Sequence, residues 1–302
     1  ASLSKTVSLG ATRIPAGLAC TAVGILRAPM RLSGYLRVPK ARRAKQEYAM
    51  KLPDRIFGIE TSEAYARRLK ELEKEKTKPA ENTTTIIVPS SIDKPESYFI
   101  LPSHTHGNYS YPDLLIAMEK SHHGNNWTQA QEALHKEQAF IPTIRQYVDS
   151  INILKSGTVY DGRGQRITHQ KINSVLNEML TVRNPLRSEW LDAQFNEEKG
   201  KWFITYHNVN QNGILTKTKE PLEECLRADK LPGILLDAWL QHSTKQGLPP
   251  ENIGNGNLYY WHPRNGVVAR FFADSIRAVL YCGGDPQVSD ASLGVRVVRV
   301  KK

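Results

Sequence analysis

Cysteine is scarce in this chain. Three residues in 302 (Cys20, Cys225, Cys282) are too few for a disulfide scaffold, and none forms the C-x-x-C pair of a zinc ribbon or redox site. Long apolar runs are missing too. The longest, residues 14–26, has thirteen residues broken by Pro15, Gly17 and Gly24, too short and too interrupted to span a bilayer. Gly162-Arg163-Gly164 lacks the third glycine of a dinucleotide fingerprint, and there is no Gly-Lys-Ser/Thr phosphate loop. A Gly-x-Ser-x-Gly nucleophile turn is also absent. Acidic residues are missing from the whole of residues 1–46.

What is present describes a chain that folds. Hydrophobic residues make up 40% and charged residues 24%, outside the range of disordered sequences. At roughly 150 residues per domain the length suits two domains. The net charge of +11 is unevenly placed: residues 1–46 hold nine basic side chains, leaving +2 for the remaining 256 residues. The basicity therefore belongs to an arm. Such an arm suits an anionic partner, nucleic acid or membrane, a transit-like targeting segment, or a partner-docked extension. Its charges follow the apolar stretch, the reverse of a secretory signal. Tyr35 is its only aromatic before Tyr48, too little for base stacking.

Along the chain, residues 62–78 read as a charged helix with i,i+4 pairs, followed by a linker with a β-prone run at 83–88. A helical pattern is read from Pro112 to Leu154, with Leu114, Leu115 and Met118 on one helix face. Asp161-Gly162 signals a tight turn, and a helix is read from Thr168 to Val182. Residues 190–195 and 202–209 alternate around a turn at 196–200, the signature of a hairpin. Residues 213–219 form a third strand. Helices are expected near Glu223–Ala228, which includes Cys225, and Ile234–Lys245, then β-like segments to the end. The expected fold class is α+β, with the last strand returning to pair with the first. The divisions are a basic arm at 1–46, a mainly helical attachment region at 47–155, and a ligand-binding domain at 156–302 with its core in 188–302.

The final stretch is the most specific. Arg277-Ala278, Cys282, Asp285-Pro286 and Ser289-Asp-Ala-Ser-Leu-Gly-Val-Arg296 resemble the C-terminus of a C-type lectin fold. The subgroup is that of formylglycine-generating enzymes and the variable proteins of diversity-generating retroelements, whose motif ends Leu/Ile-Gly-Phe/Val-Arg. The resemblance implies a C-terminal C-type lectin domain. Read on their own, Asp285-Pro286 supplies a turn, and Gly294 allows a close approach that a Cβ would block. Leu293, Val295, Val297 and Val298 suit a buried last strand, with Trp261, Phe271 and the Trp239 helix beneath. Between these positions lie Phe272, Ile276, Val279, Tyr281, Gly283, Gly284, Val288 and Asp290, which follow no simple alternation. In variable proteins, template adenines are mutated, and the residues at all eight positions are reachable from AAC or AAT codons. The resemblance thus implies a hypervariable ligand-binding face of these eight residues on a rigid frame.

That family also contains copper oxidases that use paired cysteines, but Cys282 stands alone, and one thiolate does not make a two-coordinate copper site. The expectation is a non-enzymatic protein with no catalytic residues, binding a protein or glycan on a target surface, at a virion or cell surface. No cofactor is expected, since no carboxylate cluster is spaced as a calcium loop. His104, His106, His122, His123 and His135 cluster in sequence, with Asp113 and Glu119 as added candidates for zinc. No cysteine accompanies them, and no metal is expected. The rival reading is a structural or assembly protein with a nucleic-acid-associated arm and a fixed lectin-like scaffold.

Overall fold

The computed structural model describes residues 92–301 and, before them, three two-residue strands: β1 (Arg55–Ile56), β2 (Ile59–Glu60) and β3 (Ile86–Ile87). The chain divides into two units, Ala1–Glu71 and Leu72–Lys302. In the first, β1 pairs antiparallel with β2. The basic arm at 1–46 and the charged helix read at 62–78 lie outside the described residues.

The second unit is α+β. Strands β4 (Tyr98–Leu101), β5 (His104–His106), β6 (Tyr109–Tyr111) and β7 (Leu114–Ser121) come first. Helices α1 (Trp127–Lys136), α2 (Ile144–Lys155) and α3 (His169–Leu180) follow. Then come β8 (Arg187–Glu198), β9 (Lys201–Val209), β10 (Ile214–Pro221) and β11 (Lys230–Ile234). A short helix α4 (Leu236–His242) leads to β12 (Leu258–Trp261), β13 (Val267–Ala273), β14 (Ala278–Gly284) and β15 (Leu293–Val300). The longer helices start where side chains satisfy their free N–H groups. Asn126 with Gln129 and Thr143 with Gln146 form capping boxes on α1 and α2, and Thr168 caps α3.

Strand β8 is the hub of the large sheet, whose order is β11-β12-β14-β13-β8-β15-β7-β4. Along one edge β8 pairs antiparallel with β13. On the other edge its first residues take β15 in parallel (Leu293↔Ser188), and its last residues form the hairpin with β9. Beyond β9 the sheet continues through β10 to β3. The last strand therefore lies between β8 and β7, antiparallel to β7. Strand β7 and helices α1 and α2, which the sequence assigns to an attachment region ending at 155, share this sheet and its cores with the later residues.

Each sheet face has its own core. On one, Tyr147 and Ile151 of α2, Val175 and Met179 of α3 and Trp239 of α4 pack on Leu191, Phe271, Leu280 and Val298. On the other, Trp127, Ala130 and Leu134 of α1 pack on Trp190, Leu293 and Val295. Trp239 stacks on Phe271 at 6.3 Å between ring centres.

Three sequence expectations fail here. Residues 114–118 are a strand buried without a break. Leu114, Ile116 and Met118 face the larger core and Ala117 the smaller. A run buried on both faces loses its alternation and mimics a helical stripe. Residues 223–228 are not helical because the segment bonds elsewhere: Gln246 Oε1 accepts from Glu223 N, Pro249 O from Leu226 N, and Leu226 O from Tyr260 Oη. The helix read at 234–245 shrinks to α4, since Lys230–Ile234 pairs with β12 as strand β11.

Gly294 shows the close approach read from sequence. A Cβ there would lie 2.8 Å from Ser121 O on β7 and 2.9 Å from the His123 ring. Two residues on, Arg296 is fully buried, donating to Ala117 O at 3.0 Å, Met118 O at 2.6 Å, Glu189 Oε2 at 3.2 Å and the Glu178 carboxylate of α3. One guanidinium thus ties β15 to β7, β8 and α3.

Candidate functional site

Helix α1 and the 285–292 loop cover their side of the sheet over β7, β15, β8 and the start of β13, where Val268 joins the smaller core. The neighbouring strands β13, β14 and β12 keep a partly open outer face. Inward residues Phe271, Leu280, Cys282, Leu258 and Tyr260 belong to the core. The alternating residues between them form two rungs across the strands: Trp261↔Tyr281↔Arg270 and Tyr259↔Val279↔Phe272.

The rungs make an aromatic surface threaded with guanidinium groups. Tyr281 meets Trp261 edge-on at 5.7 Å and Phe272 edge-on at 6.0 Å. Arg270 lies over Tyr281 at 4.9 Å and over Phe272 at 5.4 Å. Arg264 sits over Trp261 at 5.4 Å and Arg277 over Tyr259 at 5.3 Å, within cation–π range. The three arginines differ in their partners. Arg264 bonds Asp229 at 2.9 Å and Arg277 bonds Asp274 at 3.3 Å. Burial alone would raise both carboxyl pKa values, but hydrogen bonds from His262 to Asp229, and from Ile276 and Arg277 to Asp274, hold them below the usual range. The Arg270 side chain has neither a hydrogen bond nor an ion pair among the described residues, and its Nε is buried without a partner. Burial lowers its pKa against the opposing influence of Tyr281 and Asp290.

The eight residues read as a variable face divide. Phe272, Tyr281 and Gly283 are half-buried on this surface. Ile276, at the turn between β13 and β14, is 78% exposed; Val288 is 37% exposed, and Asp290 is exposed in the loop after β14. Val279 and Gly284 are corrections, since both are buried. Val279 lies in register between the larger Tyr259 and Phe272, which shield it. A Cβ on Gly284 would sit 2.8 Å from Val268 O. Trp261, expected beneath the last strand, lies on the outer rung instead. Sequence reading also missed Tyr259 and Arg270 as parts of the surface; the alternation in Leu258-Tyr-Tyr-Trp261, buried at Leu258 and Tyr260, was the available signal.

The 285–292 loop is fixed in place. Asp285 accepts from Gln287 N, and Asp290 from Ser292 N at 2.7 Å; hydrogen bonding by Ser292, side chain first and then backbone, lowers the Asp290 pKa. Pro286 O accepts from Trp127 N and Leu293 O from Gly124 N, both at 3.1 Å, while Ser289 Oγ donates to Gly124 O. Val288 and Asp290 are therefore displayed from a loop anchored on the start of α1.

The histidines do not converge. His104 and His106 share a face of β5, with ring centres 4.3 Å apart. His106 Nε2 lies 2.9 Å from Asp149, which also accepts from Tyr111 Oη at 2.6 Å and Arg145 NH2 at 2.6 Å. Burial lowers the His106 pKa despite the carboxylate. These residues line an open cavity of about 580 Å³ between β5, α2 and α4. His122 pairs with Glu137, His123 abuts Gly294, and His135 meets the His207 ring at 5.0 Å. Asp113 accepts from Ser103 N, and Glu119 lies 3.7 Å from Lys171. Among the described residues no three His, Cys, Asp or Glu side chains are placed to hold a metal ion. Burial raises the Cys225 thiol to about 11 and Cys282 well above the usual range, leaving neither as a thiolate nucleophile.

No helix among the described residues is long and apolar enough to cross a membrane. Comparison with family models, curated proteins and solved structures finds no match.

Proposed function

We propose that this chain is a non-enzymatic, ligand-binding display protein. Its C-terminal domain has a C-type lectin fold displayed at a virion or cell surface, and the outer face of β12, β14 and β13 with the following loop recognises a protein or glycan on a target surface. The observation that carries the reading is the division of labour along β13 and β14. Phe271, Leu280 and Cys282 are locked in the core, while Phe272, Tyr281, Gly283, Ile276, Val288 and Asp290 reach the surface. A stiff frame carrying outward side chains of mixed chemistry is how binding loops gain diversity without losing the fold. Val279 and Gly284 fall outside the displayed set. A contact of standard size would cover about 800 Å² on this side.

On this reading a retroelement diversifies the displayed positions. The test is the DNA beside the gene. A near-copy of the codons for residues 256–298, differing only at adenines and accompanied by a reverse transcriptase, is expected. Its absence overturns diversification and leaves a fixed lectin-like binding face.

A further inference from the structure

We propose that the partner meets this face through a single carboxylate seated on Arg270, carried by an acidic side chain of a protein and flanked by apolar residues. The proposal rests on the reading of this surface as the binding face.

Arg264 and Arg277 each already bond an aspartate, at 2.9 and 3.3 Å, so their guanidiniums are spoken for. Arg270 is the remaining cation of the surface, and its side chain makes no hydrogen bond or ion pair among the described residues. A partly desolvated guanidinium with an unpartnered N–H is costly to leave unpaired, and an incoming carboxylate removes that penalty through charge-assisted bonds. Phe272 and Tyr281 pack beside it and restrict its motion, so little side-chain entropy is lost when a ligand arrives.

The surface also discriminates between kinds of anion. A nucleic acid binds such surfaces by stacking bases on bare ring faces. Here guanidiniums lie over the rings of Trp261, Tyr259, Phe272 and Tyr281. Asp229, Asp274 and Asp290 stand around the surface, and their charges oppose an extended chain of phosphates more than a single carboxylate paired with Arg270. Ile276, 78% exposed beyond one end of β14, and Val288, 37% exposed beyond the other, add apolar contact surface. An acidic residue among apolar neighbours on a protein matches that combination; an acidic sugar lacks the apolar part.

The test uses the full chain with 15N-labelled arginine and NMR titration against acetyl-Leu-Glu-Phe amide and its Leu-Gln-Phe counterpart. Glucuronic acid and a thymidine oligonucleotide serve as the other arms. The expected result is that the Glu peptide shifts the Arg270 Nε–H signal, weakens as salt is raised, and binds roughly tenfold tighter than the Gln peptide. Arg270→Gln abolishes that difference with unchanged thermal unfolding, and Arg270→Lys restores it in part. Equal binding of both peptides, with loss in Tyr281→Ala, overturns the carboxylate and leaves the binding face standing. Peptide binding indifferent to both Arg270→Gln and Tyr281→Ala overturns the face as well. Tighter binding of glucuronic acid or the oligonucleotide, or no binding by any probe, overturns the protein carboxylate.

Discussion

Arg296 donates from Nε to Glu189 Oε2 at 3.2 Å, and both side chains are buried. Around them Lys120, Arg187 and Glu178 complete a cluster of three cations and two carboxylates. Burial alone would raise the Glu189 pKa and lower that of Arg296. Arg296, Arg187 and Lys120 instead hold the carboxyl below its usual value, and Glu189 and Glu178 raise the guanidinium. Removing one partner from such a pair strands the other charge, so Arg296→Met is expected to cost about 3–5 kcal/mol. Arg296→Lys does not recover it, because one ammonium cannot reach two carboxylates and two carbonyls in fork geometry. The exposed pair Arg163–Glu96, at 2.8 Å, is the control: Arg163→Ala is expected to cost less than about 1 kcal/mol. Urea unfolding measures all three.

The display reading makes a second prediction that needs no ligand. Substituting Ile276 and Val288 by Ser, Tyr or Asn, or Asp290 by Asn, which keeps the oxygen that accepts from Ser292 N, is expected to change stability by no more than about 0.5 kcal/mol each, as for surface sites. Val279→Asp, by contrast, places an unpaired carboxylate in a fully buried position and is expected to unfold the domain or cost several kcal/mol. Thermal melts of the four positions check this. If Ile276 and Val288 are as intolerant as Val279, the face is not built for variation.

The legible parts of this fold were those whose signals are local. The β8–β9 hairpin shows as alternation on either side of a turn at 196–200, and α3 (His169–Leu180) as the helix read from Thr168 to Val182. The close approach at Gly294 and the turn at Asp285-Pro286 were also visible. Leu114–Met118 was misread because a strand buried on both faces carries no alternation. Glu223–Ala228 was misread because its backbone bonds are made to residues 246–249 and Tyr260, which composition does not reveal. Of the eight residues read as a variable face, Phe272 and Tyr281 lie half-buried on the outer surface of β13 and β14. Arg270 was missed because its meaning depends on which arginines already have aspartates, a fact of tertiary placement.

Stability is expected to fall with acidification before any carboxylate titrates. His106 and His135 both have pKa values below the ordinary 6.5, with burial as the leading cause. His106 faces Asp149, which opposes the shift, and Arg145 and His104, which add to it. His135 faces His207, which adds to the shift, and Asp192, which opposes it. Below pH 6.5 the unfolded chain binds protons that the folded imidazoles refuse, so stability declines as pH drops through that window and is flat just above it. Urea midpoints at pH about 7.5 and about 5.5 compare the two regimes. The lower pH is expected to give the lower midpoint, and replacing both histidines by Gln to flatten the difference. An unchanged wild-type midpoint would contradict the burial argument.

Two glycines provide a final comparison of frame and face. Neither Gly283 nor Gly294 adopts a left-handed backbone, so an added methyl group is judged by space alone. At Gly283, on the outer face of β14, the nearest atom to a new Cβ is the flexible Tyr281 ring at 3.4 Å. At Gly294 the new atom meets the Ser121 carbonyl at 2.8 Å and the His123 ring at 2.9 Å. That carbonyl belongs to β7, whose register with β15 brings Val295 opposite Ser121, so relief requires the two strands to part. Gly294→Ala is therefore expected to cost about 1–3 kcal/mol, the range for overpacking, while Gly283→Ala changes unfolding little. If Gly294→Ala is tolerated equally well, the β7–β15 junction is not a tight seam.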